Sequence, residues 1–124
     1  MKSKWFETQG KRILHIDLSN FRTDSLGVEK ELTETVSTIG QEMYVQPLHS
    51  VLVLVDLTNT DISQHTNHLI SERIHDTRKF VKRTAVVGLT GIRKIFLEYF
   101  AVLARSDTVG FETVEAAQAW LLKQ

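Results

Sequence analysis

The chain has 124 residues, 42% of them apolar and 24% charged, with 15 basic side chains balanced by 15 acidic ones. That is the size of one ordinary domain with enough chain to bury a core. It excludes a disordered segment, a protein drawn to nucleic acid by bulk charge, and, with no apolar run near the ~18 residues a bilayer crossing needs, a membrane-spanning chain. The absence of cysteine excludes disulfides, thiol catalysis and cysteine-held zinc or iron–sulfur clusters. The opening residues MKSKWFETQG lack the apolar stretch and small-residue cleavage site of a secretory signal, so the expected location is the cytoplasm. No linker, repeat or low-complexity stretch interrupts the chain, and residues 1–124 read as one domain.

In chain order, KWFETQG and RILHID predict an antiparallel hairpin turning through Gly10 and Lys11. In the second strand Leu14, Ile16 and Leu18 lie on one side and His15 and Asp17 on the other. From Asp24 the spacing changes: Val28, Leu32, Val36, Ile39 and Met43 recur at steps of four and three, which lines one face of a helix. Thr23, Asp24 or Ser25 is its cap, and Gly40 and then Pro47 close it.

VLVLVD, residues 51–56, is continuous, β-branched-rich and ends on an aspartate. Such a strand is covered on both faces, as in a parallel sheet. A helix follows, starting between Ser63 and Asn67, with Leu69, Ile70, Ile74, Thr77 and Val81 as its inner face. TAVVGL is the next parallel strand, and TGIRKIFLEYFAVLARS is a helix capped by Thr90. TVGF and TVEAAQAWLLK repeat the unit with Thr113 as cap. The expectation is an α/β domain in which a β-hairpin leads into a mixed, mostly parallel sheet with βα repeats and right-handed crossovers. In such a sheet the strand ends and helix starts meet along one rim, where α/β proteins place ligands. Groups from DLTNTDISQHTN and GLTG are expected to converge there.

Charge is uneven along the chain. Residues 24–42 hold five acids and one base, and residues 73–94 seven bases and one acid. This reads as two solvated faces of opposite sign, or as a basic patch for an acidic partner.

The hairpin, the strand ending VDLTNTDIS, the strand RTAVVG and the terminal FETVEAAQAWL together resemble the STAS and SpoIIAA-like group of bacterial domains, from about Trp5 to Leu122. The resemblance implies four strand–helix turns wound as a superhelix. In the anti-sigma-factor antagonists it also implies partner binding controlled by a phosphoserine in an Asp-Ser-Ser-Gly element. Laid on that element, this chain has Gln64, His65, Thr66 and Asn67. Only Thr66 keeps a hydroxyl, and as a helix cap it is equally well explained. A SpoIIAA-like module without the phospho-switch is the closer fit.

The candidate ligand or switch residues are therefore Asp56, Thr58, Asn59, Ser63, Thr66, Thr90 and Arg93. Arg93 and Lys94, cations in a first helical turn, oppose the helix dipole, and an anionic ligand held after Thr90 would compensate. Asp17, Asp56 and Thr90 also imitate a phosphate-accepting receiver, but TVGF supplies no lysine. His65, His68 and His75 lack a zinc-like spacing, GLTG lacks the ending of a nucleotide loop, and neither metal nor cofactor is expected. No nucleophile-elbow serine and no paired carboxylates indicate an enzyme.

Ile92, Ile95, Phe96, Leu97, Tyr99, Phe100, Val102 and Leu103 cover most of the third helix, more than one inner face requires. A homodimer through Ile92, Phe96, Tyr99, Phe100 and Leu103 follows as an expectation. Two functions compete. One is a non-catalytic regulatory or protein-binding module. The other is a carrier or sensor of a small anionic or lipidic ligand held at the sheet edge and third helix, in keeping with the architecture's distant similarity to the lipid-binding CRAL-TRIO fold.

Overall fold

A computed structural model describes residues 2–19, 26–59, 64–89, 94–104 and 107–123; within these, the side chains of 2, 3, 6, 26–33, 36, 64–67, 69, 70, 94, 96, 97, 103 and 104 are outside the description. The elements run β1 (Lys2–Thr8), β2 (Lys11–Asp17), α1 (Leu26–Met43), β3 (Val51–Asp56), α2 (Gln64–Thr77), a short 3-10 turn (Arg78–Phe80), β4 (Val81–Val87), α3 (Lys94–Ala104), β5 (Asp107–Phe111) and α4 (Val114–Leu121). The strands form one sheet in the order β1-β2-β3-β4-β5. The first pair is antiparallel and the other three are parallel. This is the mixed, mainly parallel α/β sheet that the strand and helix alternation implies.

β3 sits at the centre of the sheet. Val51, Leu52, Val53 and Leu54 are consecutive and all buried, so both faces are covered. On one face Leu52 and Leu54 join Ile13, Ala85, Val87, Ala117 and Leu121 beneath α4. On the other, Val51 and Val53 join Leu14, Ile39, Met43, Phe80 and Val81 beneath α1. Fully burying each such aliphatic contributes about 1.5–3 kcal/mol. β2 is an interior strand as well. Leu14 and Leu18 point inward as their alternation requires, but the opposite face is not polar throughout, because Ile13 is completely buried against the α4 layer.

Three boundaries differ from the sequence reading, each for a local reason. The hairpin turn is Gln9–Gly10, because Lys11 already pairs with Thr8. Both turn residues have positive φ, 52° and 75°, as the two-residue turn matching strand twist requires. Gly40 does not close α1 but lies inside it and is buried, where a Cβ would press on the Arg73 guanidinium of α2. Its role is close packing between helices. Val81 opens β4 rather than closing α2's inner face, since the 3-10 turn after Thr77 ends the helix four residues earlier than its apolar spacing suggests. The caps at Thr23, Asp24, Ser25 and Thr90 lie outside the described residues. Thr113 does cap α4, its Oγ1 accepting the Ala116 amide at 3.1 Å.

Because the hairpin turn holds a non-glycine residue at positive φ, its two positions respond in opposite ways. Gln9→Asn is expected to raise unfolding stability by a few tenths of a kcal/mol, as asparagine tolerates the left-handed region better. Gly10→Ala is expected to lower it by about 1 kcal/mol. Urea unfolding of the two variants checks both signs.

Candidate functional site

The C-terminal ends of the parallel strands form the rim that the topology assigns to ligands. Asp17 pairs with Asp56, and Asp56 with Val87. The backbone ladder continues past the strands: Leu18 N donates to Asp56 O (2.9 Å), Leu57 N to Val87 O (2.8 Å) and Gly88 N to Phe111 O (3.3 Å). Four strand ends are thereby held side by side.

Two described carboxylates on this rim, Asp17 and Asp56, accept bonds from their own turns. Asp56 Oδ1 accepts the Thr58 amide at 2.9 Å, an Asx turn that redirects the chain as it leaves the sheet. Asn59 follows with φ 54°. Asp17 makes the same kind of turn, Oδ1 accepting Ser19 N at 3.0 Å and Ser19 Oγ at 2.6 Å. Burial pushes the Asp17 carboxyl up, but the Ser19 hydroxyl and amide, with His15 nearby, outweigh it and leave the carboxyl below the usual carboxylate range. Gly88, with φ 94°, lets the β3–α2 turn approach. A Cβ there would lie 2.6 Å from Thr58 N and Cα.

The structure thus brings Asp56, Thr58 and Asn59 together at one strand end, with Thr58 and Asn59 exposed. Ser63, Thr90 and Arg93 lie outside the described residues. Thr66 has helical backbone in the first turn of α2, which begins at Gln64, so it sits inside the helix and not at a cap position. Of the expected interface, Ile92 is outside the description, as are the side chains of Phe96 and Leu103. Tyr99 is 48% exposed, whereas Phe100 is 3% exposed and belongs to the core side of α3. Ile95 and Val102, 66% and 76% exposed, take its place on the outward face. The histidines go separate ways: His68 Nε2 lies 3.1 Å from Glu72 Oε1, and His75 Nδ1 lies 3.5 Å from Arg78 Nη1. Among the described residues no group of three or more histidine or carboxylate side chains gathers in a way that could hold a metal ion.

The feature missed by sequence reading is a cavity of about 110 Å³ between the sheet and α1, α2 and α3. Its walls include Leu14, Val53 and Val55 from the sheet, Ile39 from α1, Ile74 from α2 and Phe100 from α3. Arg73 borders it. The Arg73 Nε is buried with no hydrogen-bond partner among the described residues, and its Nη1 is 4.0 Å from Asp76 Oδ2. A signal was present: Arg73 lies three residues after Ile70 and four before Thr77, on the helix face assigned to the core, opposite the glycine of α1 that makes room for it. Geometrically, this is an apolar chamber with a cation at its margin.

The Asp17 turn gives a pH-dependent expectation. Its folded-state carboxyl is depressed, so its contribution is present above the unfolded value near 4 and is lost as pH falls through the folded one. Asp17→Asn is expected to be less stable than the parent at pH 6 by up to about 1 kcal/mol, since the charge-assisted bonds are partly solvated. That gap should close on acidification below about pH 4. Thermal unfolding of both proteins across this range checks it, and a gap independent of pH would contradict it.

No family profile matches the chain, and no curated protein matches it. Among solved structures, it is similar to an uncharacterised protein of the DUF3478 family with a SpoIIAA-like fold from Shewanella loihica PV-4. The two share 14% identity and superpose with a TM-score of 0.71 over 97% of this chain and 92% of the other. With its hairpin, central β3 and four strand–helix units, the chain has a SpoIIAA-like fold.

Proposed function

We propose that this protein is a non-catalytic, STAS-like module that acts by binding, and that it pairs with a second copy of itself through the outward face of α3. The observation that carries this reading is the stripe Ile95, Tyr99 and Val102, spaced four and three residues apart and 66%, 48% and 76% exposed. Phe100 already anchors the inner side of α3, so these three side chains are surplus to the domain's own core. Two-fold pairing would set the stripe against itself and remove apolar area from water at ~25 cal/mol per Å². Support for a non-catalytic role comes from the rim, where Asp17 and Asp56 spend their carboxylates on their own turns.

The cavity favours a second reading, a holder of a compact ligand with an apolar body and one anionic group. The walls would take the body, and Arg73, whose Nε lacks a partner among the described residues, would face the charge.

Sedimentation at micromolar concentration tests the first reading. The parent is expected to sediment as a dimer and Tyr99→Glu/Val102→Glu as a monomer; a parent that stays monomeric at every concentration would remove the self-pairing. Native mass spectrometry tests the second. Freshly purified parent is expected to lose a bound mass on denaturation, and Arg73→Leu to carry less of it, while a parent that loses no mass would count against a held ligand.

A further inference from the structure

At the opposite end of the sheet, where the parallel strands begin, lies the connection between α1 and β3. It exposes Tyr44, Val45 and Leu48, at 50%, 79% and 63%. These side chains are held outward by a braced loop. Tyr44 N and Gln46 N donate to Gly40 O and Met43 O at 3.1 and 3.0 Å, continuing the end of α1. His49 N and Ser50 N donate to Lys79 O and Phe80 O at 3.0 and 3.1 Å, tying the loop to the 3-10 turn before β4. Ser50 Oγ closes the turn on Pro47 O at 2.7 Å. The Tyr44 ring packs edge-on against Phe80 at 5.7 Å. Val45 and Leu48 are the most exposed apolar side chains of the loop.

Cations lie at the same end of the sheet. Lys79 Nζ sits 5.3 Å from the Phe80 ring centre, beside the loop. Lys11, Arg12 and Lys82, together with Gln46 and Pro47, line an adjoining open depression of about 410 Å³. Of the described carboxylates toward this end, Glu7 lies 3.8 Å from Arg12, Glu42 accepts the Trp5 indole N–H at 2.8 Å, Asp76 lies 4.0 Å from Arg73 and Asp107 opens β5 beside Arg83. Lys79 and Lys82, both exposed, have no carboxylate partner among the described residues. The chain as a whole is neutral, so this local excess of positive charge is a matter of placement.

We propose that this end of the molecule docks on an anionic membrane surface, with Val45 and Leu48 entering the headgroup layer and Lys79, Lys82, Lys11 and Arg12 facing lipid phosphates and carboxylates. Two features favour a fluid surface over a shaped protein partner. The aliphatic side chains project from a loop, the form of a wedge and not of a receiving groove. Three of the four cations are lysines, which meet diffuse negative charge without the fixed fork geometry of arginine. The association is peripheral, since no described helix is long and apolar enough to cross a membrane.

Co-sedimentation of the full chain with vesicles tests the proposal. Binding to vesicles of phosphatidylcholine mixed with phosphatidylserine is expected, with little binding to phosphatidylcholine alone and weakening as salt rises. Lys79→Glu/Lys82→Glu and, separately, Val45→Ser/Leu48→Ser are each expected to lower affinity at least about tenfold while melting like the parent, because all four positions are exposed. Absence of binding to the anionic vesicles at low salt, or either variant binding like the parent, overturns it. So does preference for soluble polyglutamate over vesicles, lost in the same variants, which would assign the surface to an acidic protein segment.

Discussion

The structure depends on the need of β3 for cover on both faces. Four consecutive buried aliphatic residues leave that strand no solvent side, and its backbone polar groups leave it no free edge. β2 and β4 must therefore flank it, and helices must lie on both faces of the sheet. From that follows the alignment of strand ends that sets Asp17, Asp56 and Val87 in one row.

The two faces meet the requirement differently. Beneath α4, small residues such as Ala85 and Ala117 are completely buried and allow helix and sheet to approach closely. Beneath α1, α2 and α3 the fit is looser: an arginine occupies an inner helix position, and a cavity remains beside it. Close packing on one side makes that layer a scaffold. On the other side lies an apolar chamber bordered by Arg73 and Arg78. The two ends of the sheet also contrast, with Asp17 and Asp56 closed into turns where the parallel strands finish and Lys11, Arg12 and Lys82 lining an open depression where they start.

Much of this was legible in the residues. The unbroken apolar run of β3 required a buried parallel strand, the alternation in β2 located Leu14 but not Ile13 on the opposite face, and Thr113 announced a cap that forms as expected. The rim was legible in part, because an aspartate ending an interior strand marks where the chain leaves the core. Less legible was how side chains divide between sides of an almost wholly apolar helix. Tyr99 and Phe100 are neighbours of similar character, yet one is exposed and the other buried, and only the packing of α3 against the sheet separates them. Gly40 illustrates the same limit. A glycine late in a helix reads as a terminator, but here it clears space for Arg73, a contact between segments far apart in the chain.

By itself, then, the sequence determined the class of fold, the order of its elements and the centrality of β3, because these rest on local periodicity and on the hydrophobic cost of exposing a continuous apolar strand. Tertiary structure alone decided that Gly40 clears space for Arg73, that Arg73 borders a cavity, and that the loop carrying Val45 and Leu48 is tied to Lys79 from another part of the chain. Each of these is a relation between groups distant in sequence or a choice between equivalent side chains. Such relations exist only once the layers have packed.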